Sequence, residues 1–264
     1  MILSNYYYYF QSALSPEVCN SIIELGKNKL IEQQKSGEGT TAVTFGQSQK
    51  GNDNRQPIAD VDWHQLIQQY PDKTPDQIKD LFYNRDSEAA WLRDQWIYDL
   101  IWPYIHKANK ESGWLFEFAG AEAFQFTKYS SGGFYNWHND GGSDHTQIFK
   151  KYIDGVTPDG PHYTRNNSQV GNVRKLSLTI NLNAPGEYEG GDLKFDLGPH
   201  CEGERYQICQ EIRPQGSIVL FPSFVAHQVT PVKTGTRYSL VLWVHGRPFK
   251  WWHQHNTSKN TNMF

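Results

Sequence analysis

The chain has 264 residues, a formal net charge of −3 and 14% aromatic residues, including nine Trp and fifteen Tyr. That length supports one large domain, and small, interspersed charge gives no electrostatic footprint for nucleic acid. A mean hydropathy of −0.69 with no long apolar run leaves no candidate membrane span. The opening MILSNYYYYFQSAL lacks the basic region and apolar stretch of a secretory signal. Three cysteines, Cys19, Cys201 and Cys209, fit free thiols in a reducing compartment better than a disulfide framework. A cytoplasmic or other intracellular location is expected.

Taken in chain order, the run Tyr6 to Tyr9 favours a half-buried opening strand. Ser15-Pro16-Glu17 is a helix start: a hydroxyl cap, proline in the first position, an acid in the first turn. Val18, Ile22, Leu25 and Ile31 then recur at helical spacing, which predicts a helix over 16–35. A polar, glycine-rich loop is expected over 36–60, and Thr74-Pro75-Asp76 opens a short second helix. From Ser87 the spacing of Trp91, Trp96, Leu100, Ile101, Tyr104 and Ile105 predicts helix to about 111, kinked or divided at Pro103.

After Trp114 the period changes to two. FEF, AFQFTKY, LSLTINLN, DLKFDL, YQICQEI, SIVLF and RYSLVLWVHG read as strands separated by glycine- and proline-containing turns. Residues 141–173, rich in Gly, Asp and Asn, lack any period and are a candidate lid. The expected fold is mostly β with N-terminal helices, a sandwich or barrel in one domain. It comprises a helical support region over 1–113, a β core over 114–248 and a tail over 249–264.

His138 and Asp140 stand two apart in YNWHND. On a strand they would face the same way, but alone the triplet carries little specificity. Further on, PSFVAHQVTPVKTGTRYSLVLWV brings His227 and then Arg237. Two histidines and one carboxylate on one face of an octahedral metal are the donor set of non-haem iron(II) oxygenases. A buried arginine suits the far carboxylate of a keto-acid cosubstrate, because its planar fork bonds a carboxylate bidentately and stays charged.

The ordered set of FTKYSSGGFYNWHND, RKLSLTINLNAPGEYEGGDLKF and GSIVLFPSFVAHQVTPVKTGTRYSLVLWV resembles the 2-oxoglutarate/iron(II) dioxygenase superfamily. Within it, the chain is most similar to the prolyl 4-hydroxylase-like branch, which includes the PKHD-type hydroxylases. The N-terminal FQSALSPEVCNSIIE is similar to that branch's helical entry segment. The resemblance implies a double-stranded β-helix, or jelly roll, with helices packed on one sheet. It implies His138, Asp140 and His227 as iron ligands and Arg237 as the anchor of 2-oxoglutarate, with Ser239 and Tyr129 beside it. It further implies Tyr135 and Trp243 as substrate-cleft aromatics, with Arg174 as a candidate substrate contact. Asn181 departs from the pattern, since some relatives have a cosubstrate-bound tyrosine there.

The implied reaction couples oxidative decarboxylation of 2-oxoglutarate to succinate with hydroxylation of a C–H bond. Iron(II) and dioxygen are required, ascorbate serves as reductant, and a proline-containing protein or peptide is the favoured partner. Iron halogenases have a small residue in place of the carboxylate, so Asp140 argues against that relative. Two other readings stay open: hydroxylation of a free amino acid or other small molecule, and a non-catalytic jelly-roll metal-binding module. Dealkylation of nucleic acid needs a basic groove and the charge balance speaks against it, so no nucleic-acid partner is expected. His253 and His255 form an isolated HxH pair in the tail, and His245 and the remaining histidines read as surface or loop residues.

Overall fold

The computed structural model describes residues 3, 5–37, 84–141, 148–154, 156, 163–199 and 203–249, with 41, 42, 68, 71, 72 and 74. Its elements are β1 (Tyr8–Phe10), α1 (Pro16–Lys35), β2 (Thr41–Ala42), β3 (Arg85–Leu92), α2 (Gln95–Glu111), β4 (Gly120–Ala121), β5 (Phe124–Tyr129) and β6 (Phe134–His138). These are followed by β7 (Lys150–Lys151), β8 (Tyr163–Thr164), β9 (Val173–Asn181), β10 (Tyr188–Gly190), β11 (Leu193–Asp196) and β12 (Tyr206–Ile208). The last four are β13 (Ile218–Pro222), β14 (Ala226–Val229), β15 (Val232–Gly235) and β16 (Arg237–Gly246).

The strands β1-β13-β9-β16-β5-β3 form one layer, and β6-β14-β11-β12 continue it as a second. The two join through β3, which pairs with β5 over Glu88–Leu92 and with β6 at Arg85 and Asp86. The result is the expected jelly roll: a curled antiparallel sheet with helices against one face.

Period two explains how this sheet holds both a core and a site. Phe124 and Phe126 of β5, Leu176, Leu178 and Ile180 of β9, and Leu240, Leu242 and Val244 of β16 form one apolar cluster with Ile22, Ile97, Ile101 and Ile105 of the helices. The alternate residues Gln125, Thr127, Ser177, Thr179 and Ser239 are also buried, but they face the second layer. Apolar burial therefore welds the sheet to the helices, while the polar inner rows are left to line a cavity.

α1 runs as predicted, with the Ser15 hydroxyl accepting the Val18 N–H at 3.4 Å. Its buried stripe is Cys19, Ile22, Ile23, Gly26 and Leu30, whereas Ile31 points to solvent. Gly26 permits a close approach: a Cβ there would sit 2.3 Å from Cγ of Phe126.

Three expectations are corrected. Residues 85–92 form a strand, not the start of a helix, because they pair with both β5 and β6; α2 begins at Gln95 behind Asp94. Pro103 does not divide α2: it lies on the exposed side, where water can take up the carbonyl it leaves free. FEF at 116–118 joins no ladder; the Asn109 side chain takes its place, donating to the Phe116 carbonyl and accepting the Phe116 N–H, both at 2.9 Å. The 36–60 loop apart from 36, 37, 41 and 42, the short second helix expected to open at Thr74-Pro75-Asp76 (apart from 74), the middle of the 141–173 segment, Cys201 and the HxH tail lie outside the described residues.

Candidate metal centre

β6 and β14 are neighbours, and their register sets His138 directly opposite His227. Asp140 follows β6 on a turn secured by a Gly141 N–H bond to the Ser223 carbonyl at 2.9 Å. One donor atom from each of His138, Asp140 and His227 can be chosen so that all lie within 4.8 Å of one another. The Asp140 carboxylate oxygens stand 3.6 Å from His138 Nε2 and 3.7 Å from His227 Nε2. His138 Nδ1 lies 2.7 Å from the Asn136 carbonyl and His227 Nδ1 lies 3.0 Å from the Val225 carbonyl. A carbonyl can only accept, so each Nδ1 carries the proton and each Nε2 lone pair turns toward the shared space.

Burial, reinforced by the facing His227, pushes the His138 imidazole down to about 3, so it is a neutral donor at ordinary pH. Burial works against the Asp140 carboxylate, but His227, His138 and Arg174 outweigh it and hold its carboxyl below the usual range. Two imidazoles and one carboxylate fit a divalent ion such as iron(II).

Arg237 opens β16 with 1% of its surface exposed. Its Nη1 donates to the Ser239 hydroxyl at 3.3 Å, its Cζ lies 5.3 Å from the Tyr129 ring centre, and its Nε has no acceptor. It has no carboxylate partner among the described residues, and it lines the same cavity as the three donors. The cradle is built for that side chain: Gly191, at φ +58°, would place a Cβ 2.9 Å from Arg237 Cδ. A buried guanidinium short of acceptors fits the far carboxylate of 2-oxoglutarate. Asn181 is committed elsewhere, donating to the Arg213 carbonyl at 2.8 Å.

The aromatics also line this space, while Arg174 packs against Trp243 without lining it. Tyr135 stacks on the His138 ring, with centroids 3.4 Å apart, and Trp243 is buried with no acceptor for its Nε1. Arg174 stacks over Trp243 at 4.0 Å and donates from Nη1 to the Asp140 carbonyl at 3.3 Å. The rest of its fork is occupied by Glu122, at 2.6 and 2.7 Å.

Sequence reading overlooked Glu122 and also Arg85, whose side chain lines the cavity beside Gln125. Alternation in Arg85-Asp86-Ser87 could have signalled it, but the expected helix opens at Ser87 and leaves Arg85 in no element. His245, expected at the surface, is 1% exposed and lies against Asn172.

Residues 124–245 match the family model described as the 2OG-Fe(II) oxygenase superfamily. The β core of the chain is similar to that superfamily. A PKHD-type hydroxylase of Synechococcus sp. (strain JA-2-3B'a(2-13)) is 40% identical over 70 residues, which is 26% of this chain and 28% of that protein. The fold is similar to that of a viral collagen prolyl hydroxylase from Paramecium Bursaria Chlorella virus-1 in its 2OG complex. There the TM-score is 0.52 at 18% identity, covering 92% of this chain and 97% of that one. It is also similar to a prolyl hydroxylase from Trichoplax adhaerens in complex with a hypoxia inducible factor oxygen degradation domain peptide fragment. There the TM-score is 0.50 at 15% identity, covering 91% and 84%. No helix among the described residues is long and apolar enough to cross a membrane.

Proposed function

We propose that this chain is a 2OG-Fe(II) oxygenase, a hydroxylase whose favoured substrate is a prolyl residue in a peptide. The observation that carries the oxygenase chemistry is the pairing, in one cavity, of a two-histidine, one-carboxylate donor set with a buried arginine that lacks a carboxylate. His138, Asp140 and His227 would hold iron(II), and Arg237, helped by Ser239 and Tyr129, would hold 2-oxoglutarate. Iron(II) with dioxygen and 2-oxoglutarate supplies the oxidising power for C–H hydroxylation.

The chain's own residues bind, orient and exclude water. The two Nδ1–H bonds to carbonyls fix the imidazole rings, Arg174 steadies the Asp140 turn, and the tight stack of Tyr135 on His138 keeps water from that face. Tyr135 and Trp243 line the cavity beside the three donors, and the Trp243 N–H, without an acceptor among the described residues, is available for a substrate carbonyl. The prolyl reading is supported by the PKHD-type relative and by those two prolyl hydroxylases of like fold.

Arg237→Ala tests the reading. Removing one partner of a desolvated charge pair costs roughly 2–5 kcal/mol, on the order of thirty- to several-thousand-fold in affinity. The KM for 2-oxoglutarate should rise by that factor while iron(II) affinity stays near wild type. Arg237→Lys should fall between, keeping charge but losing the fork. Asp140→Ala should do the opposite, abolishing stoichiometric iron(II) binding. An unchanged KM in Arg237→Ala would place the cosubstrate elsewhere and defeat the proposal.

A further inference from the structure

Three guanidiniums approach the cavity, and they differ in what balances them. Arg174 is matched by the Glu122 carboxylate. Arg237 is the anchor for the cosubstrate. Arg85 is 8% exposed and lines the same cavity, yet its hydrogen-bonding partners are all neutral. Its Nε donates to the Ser87 hydroxyl at 2.8 Å, and its Nη2 donates to Gln125 Oε1 at 2.9 Å and to Thr127 Oγ1 at 3.5 Å. Its Cζ lies 4.8 Å from the centre of the Tyr135 ring, which in turn stacks on His138. Nη1 has no acceptor among the described residues.

A charge removed from water is normally matched by an opposite one, because burial without a partner costs several kcal/mol. Counting formal charges shows which one is left over. Iron(II) with Asp140 retains one positive charge, Arg237 adds another, and doubly charged 2-oxoglutarate cancels both. Arg174 and Glu122 cancel each other. Among the described charged groups that line or adjoin the cavity, Arg85 alone stays uncompensated when metal and cosubstrate are bound.

We infer that Arg85 is a carboxylate subsite for the substrate, so that the molecule hydroxylated carries an anionic group close to the reacting carbon. This rests on the oxygenase reading above and narrows its substrate class. Arg85 lines the same cavity as His138, Asp140 and His227, so the group it binds would sit close to the atoms that react there. The carboxylate has two sources: the terminal carboxylate of a free amino acid or C-terminal proline, or an acidic side chain beside an internal proline.

The test uses the full chain loaded with manganese(II) and 2-oxoglutarate, which allows binding without turnover. Titration with 2-oxoglutarate alone comes first and reports the oxygenase reading by itself. Calorimetry then compares N-acetyl-proline with N-acetyl-prolinamide, and acetyl-Asp-Pro methylamide with acetyl-Asn-Pro methylamide. In at least one pair the acid should bind about thirty-fold or more tighter than its neutral isostere, the low end for a desolvated charge pair. Preference in the first pair assigns a terminal carboxylate, and preference in the second an acidic side chain. Arg85→Gln should abolish the preference while leaving 2-oxoglutarate affinity unchanged, and Arg85→Lys should retain part of it. Equal binding of acid and isostere in both pairs, or no measurable binding of either acid, would overturn the inference without any variant needing to fold. A preference that survives Arg85→Gln would overturn it too.

Discussion

Arg174 spends its fork on Glu122 and its remaining donor on the Asp140 carbonyl, so one side chain connects a strand start, a loop carboxylate and the metal-ligand turn. Glu122 is only 12% exposed. Breaking one side of a buried pair leaves an uncompensated charge and costs about 3–5 kcal/mol. Arg174→Gln should therefore lower stability by that amount. Glu122→Gln should cost less, because Arg174 keeps the Asp140 carbonyl and the Trp243 face. The double variant should lose less than the sum of the two. Urea unfolding of the four proteins measures this, and simple additivity would remove the pair as a coupled unit. Iron(II) affinity gives a second readout: it should fall in Arg174→Gln and stay nearer wild type in Glu122→Gln, since only the first deletes the bond to Asp140.

At the scale of elements, α1 and the sheet meet where Gly26 faces Phe126. In an exposed helix interior, Gly→Ala stabilises by roughly 1 kcal/mol. Here the new Cβ would meet a fully buried ring at 2.3 Å, and overpacking a filled core typically costs about 1–3 kcal/mol. The clash should win, so Gly26→Ala should lower the unfolding midpoint in denaturant; a raised midpoint would mean that α1 can lift off the sheet. The position also shows why some elements were legible in sequence and others were not. The start of α1 followed from a hydroxyl cap and a proline, which are local signals. The candidate donors and Arg237 were legible through their order along the chain, which is part of a known pattern. The strand argument for His138 and Asp140 does not hold, because β6 ends at His138 and Asp140 sits on the turn after it. Strand β3 was not legible: Ser87 to Trp91 suits a helix locally, and only pairing with β5 and β6, distant in sequence, makes it a strand. With the expected helix opening at Ser87, Arg85 had no strand to place it, and nothing near Glu122 announces that its partner lies at Arg174.

Across the whole molecule, two apolar clusters lie on opposite sides of β13. Ile218 and Leu220 belong to the helix-covered cluster with Cys19, while Val219 and Phe221 belong to the inter-layer cluster with Cys209. A strand that alternates between two clusters cannot leave one and stay in the other, so the two should unfold together. The cysteines report this separately. Burial, the largest cause in each case, pushes the Cys19 thiol up to about 11 and the Cys209 thiol up to about 12. At pH 8 roughly one thiol in a thousand or fewer would then be ionised, and buried thiols are inert to alkylation. Labelling by iodoacetamide should therefore require opening of the fold. Peptide mass mapping resolves the sites from each other and from Cys201. Both thiols should become labelled over the same range of denaturant, with the same dependence on its concentration, as expected for one cooperative domain. Labelling of Cys209 at markedly lower denaturant than Cys19 would show that the inter-layer cluster opens as its own unit. In that event the metal-ligand strand β14, paired with β11 of that cluster, would be held less firmly than the helix-covered layer behind Arg237.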